Sequence, residues 1–592
     1  MVNGGGCKCC VWVSGFHRRR LKKKILHSPK GKLNIVIEKT EIMKRISFVT
    51  LITTLCLSLS LVAQEKQNNF EIAKSLDIYN SLLRELNLNY VDEINPGELN
   101  ETAIKAMLNG LDPYTVFIPE SDIENAKFMT TGEYGGIGAL IQYDGEYTRI
   151  SEPYEGWPAQ KAGLIAGDCI LEVNGVDCVK KNTQQVSDLL KGQPGTEVKL
   201  KIKRYGQEKP IEKTLKREKV KIDNIPYYKV FDNDVAYLSL SGFTRDAAKE
   251  LKEKFMEMRK DRQLKGFIID LRGNGGGLLN EAVDIVNMFI PKGKAVVSMK
   301  GKAASANSMH PTTNDPVDLE IPLAILVDGN SASASEIVAG AIQDYDRGVI
   351  IGERTFGKGL VQNILPLSYN TQMKVTVAHY YIPSGRCIQE IDYSHKKDTT
   401  QTKTDTLGKA FKTMGGRTVY EGHGIMPDVK VKRDPYATVT AYLFGKNFIF
   451  DYANKFYSEH KSIDSADRYQ IDEATYQDFM KFVKDKNFSY TTESEKAIEK
   501  LKKTAKEEGY LDKIQPQIDL LEKNFAAEKE NDLISNRKDI EELLRSEIVG
   551  RYYFQKGRIV ASLQDDPDLK RAFEILLNTN GKDEYHSILS GK

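Results

Sequence analysis

The chain has few of the residues that build metal sites and disulfide scaffolds. Its 592 residues include seven cysteines, eight histidines and two tryptophans, and no cysteine spacing matches a metal-binding pattern. Internal repeats and long low-complexity segments are also absent. These absences argue against a metalloprotein, a disulfide-stapled domain and a repeat array.

Two glycine-rich segments lack the residues that nucleotide binding requires. The segment GERTFGKG (Gly352–Gly359) nearly matches a phosphate-binding loop, but Gly359 stands where a Ser or Thr would ligate magnesium. The segment RGNGGG (Arg272–Gly277) is followed by Leu278, where a dinucleotide-binding motif has its third glycine. Neither an ATPase nor a dinucleotide-dependent enzyme is therefore expected.

The amino-terminal region has the pattern of an export signal. MKRISFVTLITTLCLSLSLVAQ (Met43–Gln64) combines a basic start, an apolar run and the small residue Ala63, which predicts cleavage near Ala63. We therefore predict that residues 1–42 are a mis-called upstream extension and that residues 43–63 are a signal peptide. An uncleaved membrane anchor and a genuine basic cytoplasmic extension are the alternatives.

Removal of this leader reverses the sign of the net charge. Residues 1–63 hold 12 of the 85 Lys and Arg but 2 of the 82 Asp and Glu, so the net charge of +3 becomes about −7. The basic run His17–Lys24 therefore does not predict a nucleic-acid site. Three cysteines remain, Cys169, Cys178 and Cys387. A free thiol is expected at Cys169, in an apolar strand pattern, and a Cys169–Cys178 disulfide is the alternative.

A candidate catalytic turn lies between an apolar strand and a helix. The run AILVDGN (Ala324–Asn330) predicts a buried strand, and SASASEIVAGAIQDY (Ser331–Tyr345) has helical apolar spacing. Ser333 would lie at the helix N-terminus, where free backbone N–H groups can stabilise an oxyanion. Lys358 follows 25 residues later, and Gln362 lies four residues beyond it.

The chemistry of this pair depends on the surroundings of the lysine. A serine hydroxyl needs an adjacent base, and burial can lower the pKa of a lysine far enough for its amine to serve. If residues 358–362 are extended, Lys358, Leu360 and Gln362 point to one face, so Gln362 could hold the amine. The alternative is that the serines only cap the helix and the lysine is solvated.

Three further segments occur in a distinctive order along the chain. They are GLDPYTVFIP (Gly110–Pro119), IIDLRGNGGGLLNEAV (Ile268–Val283) and HGIMPDVKV (His423–Val431). Together with the SASASE and FGKG strings, they make residues 75–435 resemble the C-terminal processing peptidases, also called tail-specific proteases. This family consists of PDZ-containing serine peptidases, and the resemblance implies peptidase activity without a metal or other cofactor.

The resemblance also assigns roles to individual residues. It implies that Ser333 is the nucleophile, that Lys358 is the general base and that Gln362 orients the lysine. The implied oxyanion donors are the backbone N–H groups of Ala334 and of Gly276 in the glycine-rich loop. No residue of this chain departs from the family's catalytic pattern.

The segment before the catalytic turn resembles a PDZ domain. The string AQKAGLIAGDCILEVNG (Ala159–Gly175) has the pattern of that domain, and Thr183–Arg204 supplies a helix and a strand. Family resemblance assigns the YGGIG string to the loop that binds a peptide carboxylate; its residues are Tyr134, Gly135, Gly136, Ile137 and Gly138. A glycine-rich turn can offer several N–H groups to a carboxylate, and a tight turn without a binding role is the alternative.

We predict a multidomain α/β protein with helical ends. The predicted domains are residues 64–125 (N-terminal helical region), 126–220 (PDZ domain, a small β-rich α+β fold), 221–435 (α/β serine peptidase core) and 436–592 (helical C-terminal extension). His395–Arg417 is polar and threonine-rich, which predicts a surface insertion in the core. The helical ends could support a homo-oligomer, and a solvated appendage without a partner is the alternative.

These features predict an exported endopeptidase of the periplasm or cell envelope. It would bind protein or peptide substrates with apolar C-termini on its PDZ domain and cleave them through an acyl-enzyme on Ser333. We expect no nucleic-acid partner and no retained membrane anchor, and a location close to the membrane is compatible with this prediction. The main alternative is a PDZ adaptor with a latent or inactive peptidase domain, and a nonpeptide hydrolase is a weaker one.

Overall fold

The computed structural model describes residues 68–393, 408–578 and 583–591. The predicted upstream extension and signal peptide lie outside the described residues, as do residues 395–407 of the predicted insertion His395–Arg417. The chain divides into two compact units, residues 1–103 and residues 104–592.

The described part of the first unit is helical. Helix α1 covers residues 68–89, and α2 (Pro96–Asn109) begins in this unit. The side chain of Asn95 accepts hydrogen bonds from the backbone N–H groups of Gly97 and Glu98, which stabilises the start of α2. The helical start of the chain is therefore confirmed.

The second unit contains the remaining helices and all the strands of the described chain. The helices are α3 (Ile123–Thr131), α4 (Pro158–Lys161), α5 (Thr183–Leu190), α6 (Ala247–Arg259), α7 (Leu279–Asn287), α8 (Ala334–Asp344), α9 (Thr438–Gly445), α10 (Phe448–Glu459), α11 (Glu473–Asp485), α12 (Glu493–Glu507), α13 (Leu511–Ser535), α14 (Arg537–Ser562), α15 (Pro567–Leu576) and α16 (Glu584–Ser590). The strands are β1 (Val116–Ile118), β2 (Glu133–Gly136), β3 (Ala139–Tyr143), β4 (Thr148–Pro153), β5 (Cys169–Val173), β6 (Val176–Asp177), β7 (Glu197–Lys203), β8 (Ile211–Lys216), β9 (Glu218–Lys221), β10 (Tyr227–Val230), β11 (Val235–Ser239), β12 (Gly266–Asp270), β13 (Ala295–Gly301), β14 (Ser308–Pro311), β15 (Leu323–Val327), β16 (Val349–Gly352), β17 (Leu360–Pro366), β18 (Gln372–Tyr381), β19 (Ala410–Lys412), β20 (Thr418–Tyr420) and β21 (Val429–Lys430).

The PDZ region is a small antiparallel sheet covered by one helix. Its strand order is β3-β4-β5-β7-β8, and β6 pairs with β5. Helix α5 begins at a capping box between Asn182 and Gln185 and buries Val186 against the sheet residues Ile150 and Ile170. The described cysteines are unpaired, which confirms the expected free thiol at Cys169.

The predicted peptidase core is built on a sheet of order β10-β11-β12-β15-β16-β21, parallel from β11 onward. Successive residues of a strand face opposite sides of a sheet. Accordingly, Phe267 and Ile269 of β12 pack with helices α6, α7 and α8, whereas Ile268 packs with α15 and α16 on the other face. The predicted strand and helix around Ser333 are confirmed as β15 and α8.

A second sheet of the core includes a strand from the predicted N-terminal helical region. Its order is β1-β18-β13-β14, with β17 also paired to β18. Strand β1 pairs antiparallel with β18 through the register Val116 to Lys374. The segment 64–125 is therefore not helical throughout, because its VFI sequence suits a strand and finds an open edge on β18.

The C-terminal region is helical from α9 to α16. Helices α9, α10, α11 and α14 enclose a core of their own that includes Leu443, Tyr452 and Leu544. The last two helices leave that core and pack on the peptidase sheet, where the Tyr585 hydroxyl accepts a hydrogen bond from the Leu323 N–H at 2.9 Å. Within the described ranges, no helix is both long and apolar enough to cross a membrane.

Candidate active site

Ser333 is held in a strained backbone conformation between β15 and α8. Its φ of 57° and ψ of −111° are rare for a non-glycine residue. All five residues of β15 are buried, and α8 begins at Ala334, so the turn is fixed from both sides. Among the described residues, the Ala334 N–H has no hydrogen-bond acceptor, and it lies at the positive end of the α8 dipole.

The three serines of the turn differ in what their hydroxyls do. The Ser331 hydroxyl donates to the Leu271 carbonyl at 2.8 Å, and the Ser335 hydroxyl donates to the Asn274 carbonyl at 2.9 Å. Both residues are fully buried. Ser333 alone is partly exposed, and its hydroxyl donates no hydrogen bond among the residues that the structure describes. The middle serine is therefore the one available for chemistry.

The glycine-rich loop lies directly against this turn. Gly276 has a φ of +98°, and a Cβ placed there would lie 2.9 Å from the Ser333 Cβ and 2.9 Å from the Ala334 nitrogen. Only glycine fits such an approach. Its N–H, however, donates to the Asn274 side-chain oxygen at 2.9 Å. Of the two predicted oxyanion donors, Ala334 is therefore free in this structure and Gly276 is engaged.

Lys358 lies in the bend between β16 and β17, and its amine is partly buried. Burial and, to a smaller extent, the positive charge of Lys374 lower the pKa of Lys358 to about 8, against Glu336 and Asp112, which raise it. The amine lies 4.4 Å from the centroid of the Tyr114 ring. Within the described chain, no hydrogen bond joins this amine to Ser333.

Gln362 does not contact the Lys358 amine in this structure. Strand β17 begins only at Leu360, and its register against β18 shifts between Val361 and Gln362. The simple alternation assumed from the sequence therefore fails. The side chain of Gln362 donates instead to the Thr376 hydroxyl at 3.3 Å. A role for Gln362 in orienting the lysine stays a prediction.

Glu336 joins the serine turn to the lysine bend, and the sequence analysis missed it. Its carboxylate is fully buried. One oxygen accepts from the N–H groups of Ser333 at 2.8 Å and Lys358 at 2.9 Å. The other accepts from the Thr355 hydroxyl at 2.6 Å and the Gly357 N–H at 2.8 Å. The S-x-x-E spacing of a capping box could have indicated this glutamate.

The burial of Glu336 has an electrostatic cost that its four donors offset only in part. Burial raises the pKa of Glu336 to about 7, against the four hydrogen bonds that lower it. Since a protonated carboxyl would turn one acceptor into a donor, the ionised form is the one that suits the four surrounding donors. The Tyr380 hydroxyl adds a second bridge, because it donates to the Lys358 carbonyl at 2.6 Å and lies 3.2 Å from the Ser333 carbonyl.

Replacing Glu336 by glutamine is expected to lower kcat by about a hundredfold and stability by about 2 kcal/mol or more. Each carboxylate oxygen accepts two donors, so the amide NH₂ of a glutamine faces two donors in either orientation. Peptidase assays and urea denaturation measure the two effects. Glu353→Gln, at an exposed position of the same bend, is the control. Wild-type activity in Glu336→Gln would contradict the bridging role.

The predicted carboxylate loop lines a cavity of the PDZ region. Tyr134, Gly135 and Gly136 belong to β2, which pairs with β9, and Ile137 is buried in the PDZ core. At Gly138 the φ is +72°, and a Cβ would lie 2.4 Å from the Trp157 Cβ. The cavity, of about 170 Å³, is lined by Tyr134, Gly136, Ile137, Leu140, Tyr154 and Leu190, among others.

Helix α3, which precedes the PDZ sheet in the chain, forms one wall of this cavity. Phe128 of α3 lines it and packs edge-on against Tyr134, with ring centroids 5.3 Å apart. The Lys191 amine after α5 donates to the Asn125 side chain of α3 at 2.5 Å. The sequence analysis did not predict that α3 would contact this cavity, because the Asn125–Lys191 hydrogen bond joins positions 66 residues apart.

A free serine at a helix N-terminus, a lysine with a lowered pKa and a PDZ domain are together typical of PDZ-containing serine peptidases. Comparison with known proteins supports this class. Residues 234–396 match the model of peptidase family S41, residues 149–204 match a PDZ domain, and residues 439–576 match the C-terminal helical domain of probable PDZ-proteases.

Individual relatives make the assignment more specific. The chain is 34% identical over 335 residues to the carboxy-terminal-processing protease of Bartonella bacilliformis, covering 56% of this chain and 76% of that one. It is 30% identical over 403 residues to a probable CtpA-like serine protease of Staphylococcus haemolyticus, covering 68% and 73%. Among solved structures, the photosystem II D1 C-terminal processing protease is 27% identical, with 61% and 94% covered and a TM-score of 0.34. The chain belongs to peptidase family S41, among the carboxy-terminal-processing proteases.

Proposed function

We propose that this protein is an exported serine endopeptidase that binds the C-terminal tail of its substrate on the PDZ domain and cleaves through an acyl-enzyme. The single observation that carries the proposal is the environment of Ser333. Its hydroxyl donates to no described residue, whereas the hydroxyls of Ser331 and Ser335 donate to backbone carbonyls. Glu336 joins the Ser333 turn to the bend of Lys358.

The proposed reaction begins with the neutral amine of Lys358. The amine takes the proton of Ser333, and the serine oxygen bonds to the scissile carbonyl carbon. The Ala334 N–H stabilises the resulting oxyanion. The carbon–nitrogen bond then breaks, and the departing amine takes the proton from Lys358. Water, deprotonated by the same lysine, attacks the acyl-enzyme and releases the second product with Ser333 restored.

The tail-binding part of the proposal rests on the PDZ cavity. Its walls include Ile137, Leu140 and Leu190, which suit an apolar terminal side chain. The adjacent glycine-rich segment can offer backbone N–H groups to the terminal carboxylate. Export is supported by the basic start, apolar run and small residue of the predicted signal peptide.

A PDZ adaptor with a latent peptidase domain is the second candidate function. The observation that favours it is the direction of the Lys358 amine, which lies on the Tyr114 ring and makes no hydrogen bond to Ser333 within the described chain. The Tyr114 backbone is fixed, since the Asp112 carboxylate accepts the N–H groups of Tyr114 and Thr115, each at 2.8 Å. A lysine that stayed there would leave binding without cleavage.

Tail-dependent proteolysis separates the two functions. An unfolded model protein with an apolar C-terminal tail is expected to be cleaved about tenfold faster, or more, than the same protein with its terminus amidated, because tail capture raises the local substrate concentration. Protein purified from the cell envelope is used, and its N-terminal sequence is expected to start after Ala63. Tail binding without any cleavage would favour the adaptor, and equal cleavage of both substrates would contradict PDZ guidance.

A further inference from the structure

The glycine-rich loop beside Ser333 is connected to the last helices of the chain by a buried ionic cluster. Arg272, at the start of the loop, forms a two-point contact with Asp270, with nitrogen–oxygen distances of 2.9 and 2.6 Å. The third guanidinium nitrogen lies 2.6 Å from an Asp566 oxygen and 2.8 Å from an Asp568 oxygen. Both aspartates belong to the start of α15, nearly 300 residues further along the chain.

The cluster has more negative charge than its buried arginine can neutralise. The side chains of Asp270, Asp566 and Asp568 are 8%, 6% and 3% exposed. Arg433, which is 44% exposed, contacts the two aspartates of α15 at 3.2 and 2.7 Å. Three carboxylates therefore face two guanidinium groups, and one oxygen of Asp568 is buried without a hydrogen-bond partner in the described part of the chain.

Such a cluster is a poor source of stability. Burial of an unpartnered carboxylate oxygen is destabilising, and buried ion pairs often contribute nothing net to folding. Asp566 does cap α15, because it accepts the N–H groups of Asp568 and Leu569, but an uncharged asparagine caps a helix equally well. The charge on Asp568 favours the first turn of α15 and pairs with Arg272 and Arg433, so it links this helix to the glycine-rich loop.

Arg272 is placed where it can position the reacting groups. It precedes Asn274, whose carbonyl accepts the Ala332 N–H at 3.0 Å and the Ser335 hydroxyl at 2.9 Å. The side chain of Asn274 in turn holds the Gly276 N–H and donates to the Leu240 carbonyl at 2.7 Å. A shift of Arg272 would thus move the glycine-rich loop, which contacts the residues on both sides of Ser333, namely Ala332 and Ser335.

We propose that Asp566 and Asp568 are positioning residues of the active site, which act through Arg272 to hold the glycine-rich loop against the Ser333 turn. The catalytic geometry of the core then depends on the docking of α15, so the C-terminal helical region is a working part of the peptidase. This inference rests on the proposed function of Ser333 and extends it to residues that touch neither substrate nor nucleophile.

The test compares Asp568→Asn with Asp565→Asn in the full-length protein. Asn at position 568 keeps the shape and one acceptor but removes the charge that faces Arg272. Asp565, in the same turn, is 67% exposed and pairs with Arg545 and Lys570. We expect Asp568→Asn to lower kcat by about ten- to a hundredfold with KM within about twofold. The melting temperature is expected to be unchanged or higher, and Asp565→Asn is expected to match the wild type.

Two further measurements separate positioning from a merely structural role. The first is the rate at which a fluorophosphonate probe labels Ser333, which depends on the nucleophile and oxyanion geometry and needs no tail-bearing substrate. We expect it to fall in parallel with kcat. The second is the pH dependence of kcat/KM, whose apparent pKa is expected to stay in place, because Lys358 is not part of the cluster. Asp566→Asn, which retains the helix cap, is measured alongside and is expected to behave similarly.

Several outcomes would overturn the inference. Wild-type labelling rates in both Asp568→Asn and Asp566→Asn would show that the pair does not position the loop. Activity and melting temperature that fall together would give the aspartates a purely structural role. An equal loss in Arg433→Gln, whose side chain contacts α15 but not the loop, would make docking of the helix responsible instead of Arg272. Because labelling needs no tail, a failure of tail-guided cleavage leaves this comparison intact.

Discussion

The Ser333→Ala protein is expected to lose peptide cleavage by about a thousandfold or more. The hydroxyl is the atom that forms the acyl bond, and no neighbouring hydroxyl can replace it, since those of Ser331 and Ser335 are buried and bonded to backbone carbonyls. The fold should persist, because the Ser333 hydroxyl donates no hydrogen bond among the described residues and Glu336 still accepts the backbone N–H at position 333. Cleavage assays measure the loss of activity, and thermal denaturation of the purified variant measures whether the fold persists.

The two neighbouring serines provide a matched control within the same turn. Ser331→Ala and Ser335→Ala each remove one of two donors from a buried backbone carbonyl, so each is expected to lose about 1 kcal/mol of stability but to retain most of its cleavage activity. The three variants should therefore separate into one that is stable and inactive and two that are less stable and active. Substantial cleavage by Ser333→Ala, or an inactive but fully stable Ser335→Ala, would contradict the assignment of the nucleophile.

Sequence patterns predicted the parts of the site that depend on neighbouring residues. The apolar run before the turn and the helical spacing after it were enough to predict β15 and α8 around Ser333. The glycine-rich string that contains Gly276 also predicted that the backbone there could approach another group closely. Local patterns of this kind carry their information within about one turn of helix or one strand.

The parts that depend on distant segments could not be predicted in the same way. The register shift at Gln362 arises from pairing with β18, and Phe128 reaches the PDZ cavity only because α3 lies beside it. From the sequence alone, Asp566 and Asp568 are typical of a helix N-terminus. Their contact with Arg272 arises only because α15 packs on the peptidase sheet. Side-chain contacts of this range are decided by tertiary packing, which propensity and periodicity do not encode.

The Lys358→Met protein is expected to lose cleavage as completely as Ser333→Ala, because methionine fills a similar volume but cannot take a proton. The base must be neutral to act, and the fraction of neutral lysine rises with pH. With a pKa of about 8, about a tenth of the molecules hold a neutral Lys358 at pH 7, against about one in 3,000 at the usual pKa of 10.5. The wild-type kcat/KM should therefore rise with pH and level off above about pH 8.

A neighbouring charge provides the control for this profile. The positive charge of Lys374 lowers the pKa of Lys358, so Lys374→Met is expected to move the rise in kcat/KM to higher pH while activity at the plateau is kept. Lys358→Arg, which keeps the charge but stays protonated at all accessible pH values, should be as inactive as Lys358→Met. A rise at the same pH in any residual activity of Lys358→Met would assign the titration to another group. In that case Lys358 would not be the base, and its amine would stay in contact with the Tyr114 ring throughout the reaction.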